Sequence, residues 1–210
     1  MTSITIPASV TSIGEIAFYR ATSLVSVTFE SGSSLNSIGT NAFHYASALT
    51  SITIPASVTS IGNYAFYDAS ALTSITVTQP NTHYKDISGV LFDLSGTTLI
   101  QYPIGNARTI YEIPSSVTSI DQHAFYNATS LTSITIPVGV SSIGDGAFYN
   151  ATSLTSITIP ASVTSIGAYA FQYATSLTSI NIPASVTIFV DGDTFQGCSK
   201  LQSITVDPNN

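Results

Sequence analysis

The chain has 210 residues, of which 44% are hydrophobic and only 7% are charged, and its formal net charge is −7. Four scattered lysines and arginines cannot form the basic patch that nucleic-acid phosphates or anionic membrane surfaces require, which excludes binding of that kind. Apolar residues are interleaved with serine and threonine, and no run approaches the roughly 18 residues of a membrane-spanning helix, so we expect no membrane insertion.

One phrase recurs along the sequence. "TSITIPASVTSIG" occupies residues 2–14, 50–62 and 155–167, and close variants fill much of the remaining chain, usually 23 residues apart. The repeats open at Met1 and at Leu24, Leu49, Leu72, Leu131, Leu154, Leu177 and Leu201. A single unit of this length cannot bury its apolar residues, whereas stacked units can. The period therefore predicts a solenoid.

Each repeat predicts the same elements in the same order. Apolar and polar residues alternate over residues 51–54, which predicts a half-buried strand that ends at Pro55. Val58 and Ile61 predict a second, shorter extended segment, and Gly62 predicts a turn. The following "NYAFYDA" is long enough for one or two helical turns, which packing would have to hold in place.

One phenylalanine in each repeat follows an alanine, in the pair Ala-Phe or its variant. In stacked repeats these rings would lie one above another, so we expect a continuous spine of aromatic rings inside the solenoid. Its members are Phe18, Phe43, Phe66, Phe125, Phe148, Phe171 and Phe195.

The fourth repeat, residues 72–130, is more than twice the usual length. Short apolar segments at 89–92 and 98–102 flank "DLSG" and predict a hairpin with a glycine-containing loop. We therefore expect one solenoid domain over residues 1–210, with an irregular hairpin insertion within 72–130. "SITVDPNN" at 203–210 parallels "SITVTQPN" at 74–81, which indicates part of a longer array. Neither end shows a capping repeat, which predicts end-to-end self-association.

The repeat consensus, L-x-x-I-x-I-P-x-x-V-x-x-I-G-x-x-A-F-x-x-A/C, resembles the BspA-type leucine-rich repeat. "FQGCSKLQSI" at 195–204 is similar to a cysteine-bearing variant of that family, and residues 81–103 are similar to an irregular segment that recurs in it. The resemblance implies an α/β repeat, a leucine-rich-repeat solenoid with a parallel β-sheet on one face and short helical turns on the other. It also implies a surface-exposed or secreted protein that engages host, matrix or microbial partners.

No established catalytic motif is present. G-x-S-x-G, H-E-x-x-H, a P-loop and a dinucleotide-binding glycine fingerprint are all absent. His44, His83 and His123 occupy different repeat positions, so we do not expect them to converge. A single cysteine, Cys198, excludes a disulfide framework, and we expect it to pack as a small apolar residue.

The acidic residues are explained by capping and solvation. Asp86, Asp93 and Glu112 lie near the long insertion and would serve glycoside hydrolysis only as a pair facing across a cleft. Asp191 and Asp193 form "DGD", which supplies too few ligands for calcium. The residues predicted at the N-termini of the short helices, where negative charge is favourable, are Glu15, Asp121 and Asp145. We therefore predict no enzyme, no cofactor and no metal site.

Two sets of polar residues recur on the predicted surface. Ser-x-Thr pairs on the outward side of the main sheet predict a ladder of hydroxyls on strands about 4.8 Å apart. The ladder residues predicted to bind a partner are Ser51, Thr53, Ser74, Thr76, Ser133, Thr135, Ser156 and Thr158. The second set follows the spine on the convex side and is either a contact surface or half-buried packing. It comprises Tyr19, His44, Tyr67, Tyr126, Tyr149 and Gln172.

These observations predict a non-catalytic protein-interaction or adhesion module, part of a larger cell-surface or secreted protein, with a protein or glycan partner. The extracellular location is implied by the resemblance alone, because the sequence shows no signal peptide that would indicate export. Alternatives are an architectural spacer whose hydroxyls only keep the sheet soluble, an ice-binding array, or a glycan-active enzyme. "NAT" at Asn127 and Asn150 would accept glycans only in a eukaryotic secretory pathway.

Overall fold

The computed structural model describes residues 1–189 and 193–207. The chain forms two compact units, Met1–Ser95 with Pro103–Asn106, and Gly96–Tyr102 with Ala107–Asn210. Each unit is a parallel β-solenoid in which successive repeats pair strand on strand. The single domain that the sequence predicts over residues 1–210 stays a prediction.

The first unit begins with two interleaved series of parallel strands and ends in a hairpin. In chain order the strands are β1 (Ser3–Ile6), β2 (Ser12–Ile13), β3 (Ser26–Phe29), β4 (Ser37–Ile38), β5 (Ser51–Ile54), β6 (Ser60–Ile61), β7 (Ser74–Val77), β8 (Tyr84–Ile87) and β9 (Val90–Asp93). The four-residue strands form one parallel sheet in the order β1-β3-β5-β7, and the two-residue strands form another in the order β2-β4-β6.

The hairpin of the first unit pairs β8 with β9 in antiparallel register. A two-residue turn joins them, and both Ser88 (φ 53°) and Gly89 (φ 81°) lie in the left-handed region, as a type I′ turn requires. The sequence predicted strands at 89–92 and 98–102, and strands are present at Val90–Asp93 and Thr98–Gln101. It did not predict the strand at Tyr84–Ile87.

The second unit repeats the interleaved arrangement. Its strands are β10 (Thr98–Gln101), β11 (Ile110–Glu112), β12 (Ser119–Ile120), β13 (Ser133–Thr135), β14 (Ser142–Ile143), β15 (Ser156–Thr158), β16 (Ser165–Ile166), β17 (Ser179–Ile182), β18 (Ile188–Phe189) and β19 (Ser203–Val206). One parallel sheet has the order β11-β13-β15-β17-β19. In the other, β10 pairs with β12, and the two-residue strands continue in the order β12-β14-β16-β18. The parallel β-strands predicted from the repeat are confirmed.

Aromatic rings stack along the core of each unit, as the sequence predicts. The stacked rings are Phe18, Phe43 and Phe66 in the first unit, and Phe125, Phe148, Phe171 and Phe195 in the second. Neighbouring centroids lie 5.1 to 5.8 Å apart with interplanar angles of 5° to 13°. The rings that have another phenylalanine on both sides, such as Phe43 and Phe148, are completely buried.

Tyr102 extends the aromatic stack of the second unit, which the repeat pattern did not reveal. Its ring centroid lies 5.2 Å from that of Phe125, and only 1% of the residue is exposed. The hydroxyl is buried without a hydrogen-bond partner among the residues that the structure describes. Burial raises the pKa of Tyr102 to about 12, so the phenol is neutral at ordinary pH.

Replacing Tyr102 with phenylalanine is expected to stabilise the chain by about 1 kcal/mol, because it removes a buried polar group that has lost its water. The ring, and therefore the stack, is retained. Urea unfolding followed by circular dichroism measures the change. Tyr169→Phe is the control, since that tyrosine is 40% exposed, and it is expected to change nothing. A destabilised Tyr102→Phe would show that the hydroxyl has a favourable partner.

The short helical turns predicted after each glycine are wrong. Alternate amides of this segment leave their own repeat: Ile16, Phe18 and Arg20 donate to carbonyls of the next repeat at 2.8 to 3.0 Å. The amides between them, those of Ala17 and Tyr19, close turns within the repeat. An α-helix instead directs every amide along its own axis. None of the described residues lies in a helix long and apolar enough to span a membrane.

Backbone dihedrals give the second reason why no helix forms. Two positions have positive φ in each of the six segments that precede residue 174, for example Tyr64 (59°) and Asp68 (54°), which a right-handed helix does not accept. The predicted helix-terminal roles of the acidic residues are therefore wrong too. Asp145 Oδ1 instead accepts a bond from the amide of Ala168 in the next repeat, at 2.9 Å. Asp121 accepts one from the Gln122 amide, while burial raises its pKa, and Glu15 is exposed.

The glycine that precedes this segment serves close approach between repeats. A Cβ atom at Gly62 would lie 2.4 Å from the amide nitrogen of Thr40 in the preceding repeat. Gly144 and Gly167 are restricted in the same way by the repeats before them. The φ of Gly62 is not in the left-handed region, so the neighbouring backbone, and not the turn that the sequence suggests, explains why glycine recurs here.

Candidate functional site

The structure brings the four predicted ladder residues of the first unit together. Ser51 and Thr53 on β5 lie opposite Ser74 and Thr76 on the adjacent strand β7. Strand alternation buries Ile52 beneath them and turns the hydroxyls outward. Ser51 and Thr53 are exposed, whereas the two residues on β7 are half-buried. The hydroxyls of Thr53 and Thr76 lie 2.9 Å apart in a hydrogen bond between the two strands.

The second unit forms a corresponding ladder from the other four predicted residues. They are Ser133 and Thr135 on β13, and Ser156 and Thr158 on β15. Ser133 lies directly opposite Ser156. The eight predicted residues thus form two groups of four, one group within each unit.

Other residue types continue the ladder of the second unit, and sequence reasoning missed them. Ile110 lies opposite Ser133, and Glu112 lies opposite Thr135. Asn181 follows Thr158 on the next strand. The signal was available, since "TIYEIP" at 109–114 matches "TSITIP" at 132–137 in its alternation. This face therefore carries one exposed carboxylate and one largely exposed isoleucine beside the hydroxyls.

Most other recurrent hydroxyls hold neighbouring repeats together. At the strand entrances, Thr73 donates to the Thr50 carbonyl at 3.0 Å, and Thr155 donates to that of Thr132 at 3.1 Å. After the prolines, Ser57 donates to the Leu35 carbonyl at 2.6 Å. The threonine hydroxyls add to bonds that the backbones of the same repeats already form, such as that from the Thr73 amide to the Thr50 carbonyl at 2.9 Å. They are parts of the solenoid and are not free to contact another molecule.

The outward ladder is one set of hydroxyls that the fold leaves available. The side chains of Ser51, Ser74, Ser133, Thr135, Ser156 and Thr158 make no hydrogen bond to another residue within 1–189 and 193–207. Thr53 and Thr76 are engaged with each other. A hydroxyl both donates and accepts hydrogen bonds, so the ladder presents an uncharged surface with both capacities.

The turn segments of the first unit carry an aromatic cluster, which we define as Tyr19, Arg20, His44, Tyr45, Tyr64 and Tyr67. The sequence predicted three of its members, and their ring centroids lie 5.2 Å (Tyr19 and His44) and 4.8 Å (His44 and Tyr67) apart. The Arg20 guanidinium lies 5.4 Å from the ring centroids of both Tyr19 and Tyr45. Tyr45 and Tyr64 are more than a third exposed. Both have positive φ, and the repeat pattern did not reveal that they belong to the cluster.

His44 behaves as a packed aromatic ring within this cluster. Its Nδ1 shares a hydrogen bond with Asn41 Oδ1 at 2.8 Å, and its Nε2 is buried without a partner among the described residues. Burial lowers the pKa of His44, and the nearby Asp68 carboxylate only partly opposes this. The imidazole is therefore neutral at neutral pH.

The aromatic set of the second unit is smaller. Tyr126 and Tyr149 stack with centroids 4.9 Å apart, and Tyr173 lies 5.5 Å from Tyr149 at a steep angle. Gln172 is buried and donates to Gln196 of the next repeat. The predicted members of this set are half-buried or buried, which favours packing over contact for them.

The candidate catalytic groups do not assemble into a site. Asp86 Oδ1 accepts from the amide of Val77 at 2.9 Å, and Asp93 accepts from the hydroxyl of Ser95. Glu112 lies on the ladder of the second unit. Asp191, one half of the aspartate pair considered for calcium, lies outside the described residues. Across the residues that the structure describes, no three His, Cys, Asp or Glu side chains form a group that could hold a metal.

Three further predicted positions have structural partners. Asn150 Nδ2 donates to Asn127 Oδ1 at 2.6 Å, and both asparagines have positive φ, which asparagine accepts better than most residues. Cys198 is half-buried, its thiol lies 3.1 Å from the Phe171 carbonyl, and burial raises its pKa. Glycosylation at the asparagines stays a prediction.

The last strand leaves apolar residues uncovered. Ile204 and Val206 on β19 are 46% and 54% exposed, whereas their register partners Ile180 and Ile182 on β17 are 3% and 1% exposed. The side chains of Ile204 and Val206 lie on the same face of the sheet as the buried side chains of Ile180 and Ile182. End-to-end self-association, predicted from the sequence, stays a prediction.

Comparison with known proteins identifies the family of the chain. The family model for the BspA type leucine rich repeat region matches residues 1–112 and 106–210, with six copies. The chain belongs to the BspA-type leucine-rich repeat proteins. The resemblance that the consensus suggests is therefore confirmed, and so is the leucine-rich-repeat solenoid with its parallel sheet. A comparison with curated proteins found no significant match.

Solved structures show the same fold. The pneumococcal vaccine antigen PcpA is 31% identical over 100% of this chain, with a TM-score of 0.95. A leucine rich cell surface protein from Faecalibacterium prausnitzii is 33% identical over 98% of the chain, with a TM-score of 0.76. This chain spans 51% and 60% of the length of those two proteins. A leucine-rich repeat protein from Eubacterium ventriosum is 27% identical over 98% of this chain, with a TM-score of 0.68. The match covers 72% of that protein.

These relatives bear on function at a coarse level. They are described as a vaccine antigen, a cell surface protein and a leucine-rich repeat protein, and the matching family is a repeat family and not an enzyme family. The chain is thus a BspA-type repeat protein related to a vaccine antigen and a cell surface protein.

Proposed function

We propose that the chain is a non-catalytic protein-interaction module of a larger cell-surface or secreted protein, and that it binds its partner through the hydroxyl ladders. One observation carries this proposal. The threonines at the strand entrances and the serines after the prolines bond to the backbone of neighbouring repeats, whereas the outward ladder hydroxyls are directed to solvent and are largely unused by the fold. The extracellular location rests on the relatives, two of which are described as a vaccine antigen and a cell surface protein.

The chemistry of the ladder favours a protein partner over a charged polymer. Only 7% of the residues are charged, so attraction over long distances is weak and contacts must come from matched hydrogen bonds and shape. Short side chains on a hydrogen-bonded sheet lose little conformational entropy when they are covered. The exposed tyrosines of the aromatic cluster supply additional contact area of a kind common in protein interfaces.

The alternatives make different predictions. A spacer predicts that changes on the ladder leave every interaction intact. An ice-binding array predicts thermal hysteresis, which a freezing assay would detect in the purified chain. A glycan-active enzyme needs two carboxylates that face a substrate, but Asp86 and Asp93 accept hydrogen bonds from their own unit. The interaction module requires neither thermal hysteresis nor a pair of catalytic carboxylates.

Introducing one lysine into each ladder is expected to weaken partner binding at least about ten-fold, because it places an unpaired charge in the interface. The variant is Thr53→Lys with Thr158→Lys, which separates the charges by placing them in different units. A photo-reactive residue at position 158 first captures the partner from intact cells or matrix for identification. Biolayer interferometry with that purified partner then gives the dissociation constants.

The matched control carries the same charge change on the turn segments. Thr22→Lys with Thr129→Lys alters one exposed threonine in each unit and is expected to leave the dissociation constant unchanged. Circular dichroism confirms that both double variants are folded. Equal binding by the two variants would overturn the ladder as the contact surface.

A further inference from the structure

The second repeat departs from the consensus and forms a groove. Where other repeats have "PASV" or the variants "PSSV" and "PVGV", this one has "ESGSSL" at 30–35, which is two residues longer. The groove beside it has a volume of about 460 Å³. It is lined by Val27, Thr28, Phe29, Glu30, residues 31–33, Thr53, Pro55, Ala56 and Thr78. This volume lies within the range of small-ligand sites.

The wall of the groove is fixed by bonds to both neighbouring repeats. Glu30 Oε2 accepts from the Ala8 amide at 3.0 Å, and the amide of Ser34 donates to the Ala8 carbonyl at 2.8 Å. On the other side, Ser57 donates to the carbonyls of Ser33 and Leu35 at 2.9 and 2.6 Å. A loop held on two sides keeps its shape before a ligand arrives, which lowers the entropic cost of binding.

The lining combines an aromatic ring with uncharged hydroxyls. Phe29 occupies the position that is Ile6 in the preceding repeat, and it is half-buried where Ile6 is buried. Exposed threonines at 28, 53 and 78 also line the groove. Glu30 is the only charged residue among the lining residues that the structure gives for this groove.

We propose that this groove binds a neutral saccharide residue of a glycan. The ring of Phe29 offers an apolar surface to the C–H groups of a sugar ring, while the threonine hydroxyls can both donate to and accept from sugar hydroxyls. The Glu30 carboxylate can accept further bonds, and because no cation lines the groove it repels sulfated, phosphorylated or acidic ligands. This proposal goes beyond the protein contact proposed above, although Thr53 belongs to both surfaces.

The test uses neutral methyl glycosides as probes. The methyl glycosides of glucose, galactose, mannose and N-acetylglucosamine are titrated, up to about 10 mM, into the full chain labelled with ¹⁵N, because single sugars bind proteins with dissociation constants near the millimolar range. We expect saturable shifts with at least one glycoside, confined to residues 27–33, 53–56 and 78. Thr78→Val with Phe29→Ile, which restores the consensus aliphatic residue, is expected to weaken that affinity at least about ten-fold.

Two comparisons make the outcome decisive. Thr158→Val removes an equivalent hydroxyl from the other unit and is expected to leave the shifts unchanged. The methyl esters of N-acetyl-lysine and N-acetyl-arginine test a cationic peptide ligand instead. Shifts with these esters but not with glycosides, abolished by Glu30→Gln, would overturn the saccharide assignment, as would no shifts with any glycoside. Binding of the identified protein partner by the Thr78→Val, Phe29→Ile variant reports separately on the proposed ladder contact.

Discussion

Replacing Phe66 with alanine is expected to lower the free energy of unfolding by about 3–5 kcal/mol, the cost of truncating a core aromatic residue. The ring of Phe66 is 3% exposed and stacks on Phe43 with centroids 5.8 Å apart. Removing it leaves a cavity between repeats whose backbones are tied together by strand pairing, so the site cannot collapse easily. Urea unfolding measured by circular dichroism gives the change, with the m-value compared between variants.

Phe18→Ala is the matched control for this experiment. Phe18 stands at the end of the stack and is half-buried, so its truncation removes fewer contacts. We expect it to cost clearly less than Phe66→Ala. A loss below about 0.5 kcal/mol for Phe66→Ala, the scale of neutral surface changes, would show that Phe66 does not belong to the core stack.

Adding one methyl group at Gly62 is expected to destabilise the chain by about 2–3 kcal/mol, the cost of overpacking a core. The new Cβ would lie 2.4 Å from the amide nitrogen of Thr40 and 2.8 Å from the carbonyl carbon of Gly39. Both are backbone atoms, so no side-chain rotation relieves the contact. Separating the repeats would strain the bond from the Gly62 amide to the Ile38 carbonyl, which is 2.8 Å long.

The chain supplies a close control for Gly62→Ala. Gly14 follows the same "TSI" sequence, but no atom lies within 4 Å of a Cβ built there. Gly14→Ala is therefore expected to be neutral, or to stabilise by up to about 1 kcal/mol through the unfolded state. Thermal and urea unfolding of both variants test this difference. If the two substitutions cost the same, an intrinsic backbone preference, and not the neighbouring repeat, would account for the recurrent glycine.

Repetition made the core and the ladder predictable from the sequence. Once Phe43 and Phe66 share a repeat position, stacking follows from the requirement that each unit covers the next. The alternation in "SITI" likewise determines that Ile52 points inward and Thr53 outward. These inferences need only the period and the direction of side chains along a strand.

The helical turns failed as a prediction because their backbone is controlled by the neighbouring repeat. "AFYDA" has no feature that excludes a helix, yet the amides of Ile16 and Phe18 find acceptors in the adjacent repeat. A propensity argument considers one segment at a time and cannot include such partners. A turn does begin at Gly62, as predicted, but the atoms that restrict this position to glycine belong to residues 39–40 of the preceding repeat.

The candidate sites were predictable only where they follow the period. The ladder residues recur with the repeat, and they lie on neighbouring strands; their binding of a partner stays a prediction. The groove depends on how the longer loop at residues 30–35 departs from its neighbours, which no periodic argument describes. Tyr102 belongs to the aromatic stack but lies in the irregular segment. The repeat consensus cannot be aligned there, so it did not predict an aromatic core residue at this position.

The alternating amides of the turn segments have a consequence for the size of the protein. Because every second amide bonds to the adjacent repeat, and because identical residues face one another across the strands, any regular repeat presents the same complementary surfaces to whatever precedes and follows it. A gene encoding such an array can gain or lose complete 23-residue blocks while every junction remains matched. Loss of part of a block would leave unmatched strands only at the junction concerned, since each repeat contacts only its neighbours.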